Sequence, residues 1–147
     1  MKMLFRTPLQ LSVEEVKSKF NRDLFEFLAP QWAAFNLERF DGCKVNDEVH
    51  IELSLLGMKK KWVSLITHEG EDSSGWSFID EGKILPWPLS KWKHHHRVEK
   101  ISDTSCEIVD DIEYEVKNSA LEKLIYPVLW SSFAIRPDLY KKYFEGK

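Results

Sequence analysis

Residues 91–116 read KWKHHHRVEKISDTSCEIVDDIEYEV, and their alternation decides the fold. Successive side chains of a strand point to opposite faces, so Trp92, His94, His96 and Val98 share one side. After a short turn, Cys106, Ile108, Asp110, Ile112 and Tyr114 share one side of the returning strand. The other sides carry Lys91, Lys93, His95, Arg97 and Glu99, then Glu107, Asp111, Glu113 and Glu115. A largely basic strand beside a largely acidic one makes favourable cross-strand pairs on a wet surface. The inner side is apolar, with His94, His96, Asp110 and Tyr114 set into it. That pattern suits a sheet lining a cavity better than one sealing a solid core.

Working back from this hairpin, the signal is strand as far as Trp32. Ala33, Phe35 and Leu37 alternate up to Asp41-Gly42, and Val49, Ile51, Leu53 and Leu55 alternate up to Gly57. Lys59-Lys60-Lys61 reads as a solvated turn. Trp62 to His68 gives a further strand, Glu69 to Gly75 a turn, and Trp76, Phe78 and Asp80 then share a face. Glu81 to Ser90, with Gly82, Pro86 and Pro88, reads as a loop long enough to be functional or mobile. At the start, MKMLFRTPLQL reads as a strand that breaks near Pro8. Ser12-Val13-Glu14-Glu15 is a capping box that opens a short helix through Phe20, and Asn21 caps a second one ending at Ala29-Pro30. After Val116 the period becomes helical. Ser119-Ala120-Leu121-Glu122 is a further capping box, and Leu121, Leu124, Ile125, Val128, Ile135 and Leu139 trace one helical face. Pro127 and Pro137 each remove a backbone hydrogen bond, which predicts a bent helix. Without repeats or a linker, residues 1–147 read as one domain.

Composition bounds the function. A formal net charge of −3 argues against a nucleic-acid or anionic-membrane partner, since both call for a basic stripe. No run approaches the ~18 apolar residues of a spanning helix, so stable membrane insertion is not expected. Cys43 and Cys106 form no CxxC pair, and nothing at the N-terminus has the pattern of a signal peptide. The expectation is a reduced, cytoplasmic protein. Six Trp, nine Phe and four Tyr supply rings that either fill a core or wall a pocket. There is no G-x-S-x-G elbow, P-loop, dinucleotide fingerprint or HExxH, so the strong enzyme signals are missing.

The chemistry-bearing candidates cluster on the inner face of the hairpin. His94 and His96 share a face, but a metal site needs at least a third ligand close by. With a three-residue loop from Ser102 to Thr104, Asp110 falls opposite His96; a register shifted by two puts Val98 there instead. A His–Asp hydrogen bond that satisfies two buried polar groups is the first reading, ahead of a ligand-orienting or acid–base role and of a metal site. No metal and no cofactor is expected. Asp110 with Tyr114 has the makings of a base and a phenolic donor, against the commoner case of a tyrosine that simply packs. Cys106 reads as a small apolar filler. Arg136 either neutralises a ligand carboxylate or pairs with a surface acid.

The series Phe5-Arg6-Thr7-Pro8, Phe20-Asn21 to Leu28-Ala29-Pro30, Phe78-Ile79-Asp80-Glu81, Trp92-x-His94-x-His96-Arg97, Asp110-x-Ile112-x-Tyr114 and Ile135-Arg136-x-x-Leu139 spans nearly the whole chain. In its order and spacing the chain resembles the START-like SRPBCC superfamily, which includes the major birch-pollen allergen, and within it the bacterial single-domain branch. Two features depart from the pattern. Leu85-Pro86-Trp87-Pro88 stands where a G-P-F is often found, and Lys117-Asn118-Ser119 stands where a proline is expected.

The resemblance implies an α+β helix-grip fold: a seven-stranded curved antiparallel sheet wrapped around a long C-terminal helix, with two short helices between strands 1 and 2. It also implies an elongated apolar cavity between sheet and helix. Relatives bind lipids, sterols, polyketides or plant hormones, and some are cyclases or aromatases. Read this way, a hydrophobic small molecule would meet Trp62, Trp76, Phe78, Trp92, His94, His96, Ile108, Asp110, Ile112 and Tyr114 on the sheet, with Val128 and Arg136 on the helix. Trp87 lies near the implied entrance. The expected function is small-molecule binding. The alternatives are a cyclase, dehydratase or hydrolase in the same cavity, or a protein-interaction module whose cavity is closed.

Overall fold

In the computed structural model, seven antiparallel strands form one sheet in the order β1-β7-β6-β5-β4-β3-β2. The structure describes residues 1–147 apart from the side chain of Leu55, so the side-chain alternation expected at that residue lies outside the described residues. The strands are β1 (Lys2–Leu9), β2 (Ala34–Phe40), β3 (Glu48–Leu55), β4 (Met58–Asp72), β5 (Gly75–Ile84), β6 (Leu89–Ser102) and β7 (Ser105–Val116). Two short helices, α1 (Val13–Ser18) and α2 (Arg22–Phe27), separate β1 from β2, and α3 (Ser119–Ala134) and α4 (Arg136–Glu145) close the chain. This is the helix-grip architecture. Among the described residues no helix is long and apolar enough to cross a membrane.

The β6–β7 hairpin pairs His96 with Asp110, Trp92 with Tyr114 and Val98 with Ile108. Its turn is shorter than expected: Ser102 pairs with Ser105, and a bulge before Lys100–Cys106 restores the register that puts His96 opposite Asp110. The outer face carries the anticipated charge pairs, among them Arg97–Asp111 at 2.8 Å and Lys91–Glu115 at 2.9 Å. Further irregularities in β2, β4 and the start of β6 bend the strands locally and increase their twist, so the sheet curls.

The helix starts agree with their capping signals. Ser12 and Glu15 form the full capping box of α1, and the Asn21 side chain accepts from Leu24 N at the start of α2. At the C-terminus the cap is Asn118, whose Oδ1 accepts from Ala120 N at 2.9 Å, rather than Ser119. The C-terminal helix is interrupted at Ile135. Pro127 is carried inside α3, while the chain breaks at Ile135 and restarts with Pro137 in the first turn of α4, where a missing N–H costs nothing.

The expected apolar face of this helix is only partly buried: Leu124, Val128 and Ile135 are exposed. Phe133, Tyr140 and Phe144 are the buried anchors instead. Three loop expectations also change: the turn expected over Glu69 to Gly75 narrows to Ser73-Ser74, since β4 runs to Asp72 and β5 starts at Gly75. Lys59-Lys60-Lys61 lies inside β4, the turn before it being Leu56-Gly57, and β5 continues through Gly82 to Ile84. Polar residues on an outward strand face look like loop in a single sequence.

The interior divides into two apolar clusters. One, beneath α1, α2 and α4, is filled by rings such as Phe20, Trp76, Phe78, Tyr140 and Phe144. The other, beneath α3, holds Met3, Leu89, Trp92, Ile112, Tyr114 and Phe133. The rings of the first shorten the elongated hollow that the resemblance implies.

Candidate functional site

Between the two clusters a cavity of about 150 Å³ remains. Its sheet wall consists of Val49, Ile51 and Leu53 from β3, Trp62, Ser64 and Ile66 from β4, Phe78 and Asp80 from β5, and Trp92, His94 and His96 from β6. Phe25, Leu28, Ala29 and Pro30 close it on the α2 side, and Leu129, Ser132, Phe133 and Arg136 on the side of the C-terminal helix. Trp32 is half exposed at the rim, its indole N–H donating to Ser132 Oγ at 3.1 Å. The wall is mostly apolar, with Asp80, His94 and His96 gathered at one end.

That end is a buried cluster of two histidines and two aspartates. Alternation delivers His94 and His96 to the cavity side of β6, and the β5 and β7 registers bring Asp80 and Asp110 to their flanks. Each histidine bonds diagonally rather than straight across. His94 Nε2 meets Asp110 Oδ1 at 2.8 Å, and His96 Nε2 meets Asp80 Oδ2 at 2.7 Å. An ionised carboxylate only accepts, so both Nε2 atoms carry protons. The two imidazoles lie face to face, with centroids 3.5 Å apart, and Phe78 stacks on the far side of His96 at 4.2 Å. Trp92 Nε1 donates to Asp80 Oδ1 at 3.1 Å. Behind the cluster, Tyr140 Oη donates to Asp110 Oδ1 at 3.4 Å, and Arg136 Nη1 stands 3.7 Å from the same oxygen. The Arg136 guanidinium also lies over the Phe133 ring at 4.1 Å.

Burial and the neighbouring His96 push His94 down to about 4, against the pull of Asp110, so this imidazole is neutral at neutral pH. Burial alone would raise Asp110, but the hydrogen bond from His94 and nearby positive charge outweigh it and hold the carboxyl at about 2. The same contest leaves Asp80 below the usual carboxylate range, with the His96 hydrogen bond as the main opponent of burial. Burial, reinforced by Asp110, raises the Tyr140 phenol. Two buried nitrogens lack partners, His96 Nδ1 and Arg136 Nε.

Of the residues expected to meet a ligand, Trp62, Phe78, Trp92, His94, His96 and Arg136 line the cavity. Asp110 stands one layer back and reaches it through His94. Trp76 and Ile108 belong to the ring-filled cluster, the Trp76 indole N–H donating to Glu69 at 2.8 Å. Ile112 and Tyr114 are packed in the other cluster, and Val128 faces solvent. Tyr114 and Asp110 lie four residues apart on β7, or about 13 Å at strand rise, and the Tyr114 hydroxyl is buried without a partner. The phenol that reaches Asp110 is Tyr140.

Asp80 is the charged cavity-lining side chain that the site reading left out, although its alternation with Trp76 and Phe78 had already put it on the inner face. Tyr140, Phe133 and Ser132 carried no comparable signal, because helical periodicity on an interrupted helix did not single them out.

No family model and no curated protein matches the sequence. In three dimensions the chain is similar to norcoclaurine synthase from Thalictrum flavum in complex with dopamine and hydroxybenzaldehyde, with a TM-score of 0.69, 12% identity, and 97% of this chain and 85% of that one covered. It is similar to a START superfamily protein from Mycobacterium smegmatis, with a TM-score of 0.65, 12% identity, and coverage of 99% and 97%. It is also similar to the Zhui aromatase/cyclase from Streptomyces sp. R1128, with a TM-score of 0.70, 7% identity, and coverage of 95% and 90%. At such identities the likeness establishes the START-like helix-grip fold and no particular chemistry.

Proposed function

We propose that this START-like chain is a small-molecule binding protein whose ligand is a single aromatic ring, or an apolar group of that size, bearing one polar substituent. The observation that carries the reading is the cavity itself: apolar walls, one polar end, and a volume of about 150 Å³. An apolar cavity of about that volume accepts a guest the size of benzene, whereas drug-sized ligands occupy about 300 Å³ or more. The size favours the aromatic member of the expected ligand classes over a sterol or a long acyl chain. Apolar burial supplies the affinity, and the Asp80–His96 pair orients the substituent. Burying about 200 Å² of ring surface at ~25 cal/mol per Å² gives roughly 5 kcal/mol before association costs, so binding in the millimolar range or slightly tighter is expected.

Calorimetric titration with toluene, p-cresol and a long-chain fatty acid tests this. Saturable binding of the single-ring compounds, with p-cresol the tighter, supports the proposal. Failure of both single-ring compounds to bind, or preference for the fatty acid, overturns it. A second reading, acid–base catalysis on the bound ring, draws on the 2.7 Å contact between His96 and Asp80 at the cavity wall. Turnover of an aromatic carbonyl compound that Asp80→Asn abolishes in a folded protein would favour it.

A further inference from the structure

We propose that Asp80, His94 and His96 form a binding site for one divalent first-row transition-metal ion of the zinc type, with its open coordination positions directed into the cavity. All three are buried on one wall, and one potential ligand atom from each lies within 4.8 Å of the others. Asp80 Oδ2 is 2.7 Å from His96 Nε2 and 3.8 Å from His94 Nδ1. Around a tetrahedral ion with bonds of about 2.0–2.2 Å, neighbouring donor atoms lie roughly 3.3–3.6 Å apart. The two Asp80 separations straddle that value and all three donor atoms lie within 4.8 Å of one another, so a rotation of the two stacked imidazoles toward Asp80 assembles three ligands. Imidazole with a carboxylate is a donor set suited to zinc and its neighbours.

The surrounding contacts are those a metal site requires. His94 gives its Nε2 proton to Asp110, which leaves the Nδ1 lone pair on the side of Asp80. A carboxylate bonded to the far nitrogen of a ligand histidine is the usual device for fixing tautomer and ring orientation. Asp110 is itself held by Tyr140 and faced by Arg136. Trp92 fixes the other oxygen of Asp80. The orphan at His96 Nδ1 is explained as well. When Nε2 gives up its proton to coordinate the ion, the proton moves through solvent to Nδ1, which faces Asp110 Oδ1 at 3.7 Å. Charge points the same way. The cluster buries two carboxylates, and its one guanidinium stands beside Asp110, so Asp80 has no cationic side chain other than an imidazole. Buried charges are paired or coordinate metals. The inference shares its location with the proposed ligand site and rests on that reading only for the accessibility of the open positions.

The test uses the full chain dialysed against EDTA, with Co²⁺ and Zn²⁺ as probes and no organic ligand. Expected results are saturation at one equivalent, visible ligand-field absorption for Co²⁺ bleached by one equivalent of Zn²⁺, and a rise in Tm with Zn²⁺. His96→Ala and Asp80→Ala each weaken binding at least 100-fold, whereas His95→Ala, on the opposite face of β6, leaves it unchanged. Because the first two variants remove buried groups, imidazole NMR signals of the wild-type protein supply a second readout: Zn²⁺ shifts those of His94 and His96 and leaves His50 and His68 in place. Absence of stoichiometric Co²⁺ absorption, loss of binding in His95→Ala, or shifts confined to the other histidines overturns the proposal. Binding of p-cresol is measured separately in EDTA, so either reading can fail while the other stands.

Discussion

Filling the cavity separates a binding protein from one that merely packs imperfectly. Val49 is buried on β3, lines the cavity, and pairs with Ser64 on the next strand. Val49→Phe adds four carbons, and at about 0.8 kcal/mol per buried carbon the gain has a ceiling near 3 kcal/mol. Forcing a ring into a shaped space costs about 1–3 kcal/mol. The two nearly offset each other, so stability should stay within about 1 kcal/mol of wild type. Binding should not survive. A cavity of about 150 Å³ has room for one benzene-sized guest, and the new ring is that guest. Urea unfolding followed by tryptophan fluorescence gives the stability, and calorimetry with p-cresol gives the affinity. The expected outcome is an intact fold with p-cresol affinity reduced at least tenfold. A folded Val49→Phe protein that binds p-cresol within threefold of wild type would show that the guest sits elsewhere and refute the reasoning.

Removing the Asp110 carboxylate leaves Arg136 beside a neutral amide, so Asp110→Asn should cost about 3 kcal/mol in urea unfolding; a loss below about 1 kcal/mol would mean that the pair is not coupled in the fold. Gly75 has φ +140°, and a Cβ there would stand 2.0 Å from the Val98 carbonyl oxygen, whereas a Cβ at Gly70 meets nothing within 4 Å. Gly75→Ala should therefore lower Tm markedly and Gly70→Ala leave it near wild type, and equal effects would contradict the close approach of β5 to β6. Burial pushes the Cys43 thiol up from 9.0 to about 12, so the neutral form is favoured in the fold and only about one thiol in 10⁴ is ionised at pH 8. Its reaction with Ellman's reagent should be roughly 1,000-fold slower than in urea and rise about tenfold per pH unit from 8 to 10. A fast, pH-independent reaction in the native protein would contradict the burial.

The strands were legible because their inward residues are apolar and their outward ones charged, a contrast that a period of two displays plainly in residues 91–116. A capping box placed α1 and the Asn21 cap placed α2, because those hydrogen bonds are local and the residues adjacent. The C-terminal helix was less legible. Its apolar residues are spread around the axis, so one continuous face predicted contacts that Leu124 and Val128 do not make. At the site, phase alone put His94, His96 and Asp110 on the inner wall. It did not choose their partners, because directly opposed residues and diagonal ones are both within reach of a long side chain. The diagonal bonds to Asp80 and Asp110 depend on ring orientation, which Phe78, Tyr140 and Arg136 impose from distant parts of the chain. Nor did the pattern give the size of the hollow, since the same aromatic residues that wall it also fill its other half.

The sheet order has a consequence for how the molecule is made. β1 precedes the other six strands in the chain, yet its partner is β7, and the Met1 nitrogen reaches the Tyr114 carbonyl oxygen at 2.9 Å across 113 residues of chain. The β6–β7 hairpin closes over a two-residue turn and needs no such wait. Closing a loop of that length carries an entropic cost that local pairing avoids, so the first strand is expected to dock after the hairpin has formed. Until then the nascent chain carries a β7 edge with open hydrogen-bonding groups, and truncation of the first nine residues would make that exposure permanent and favour self-association.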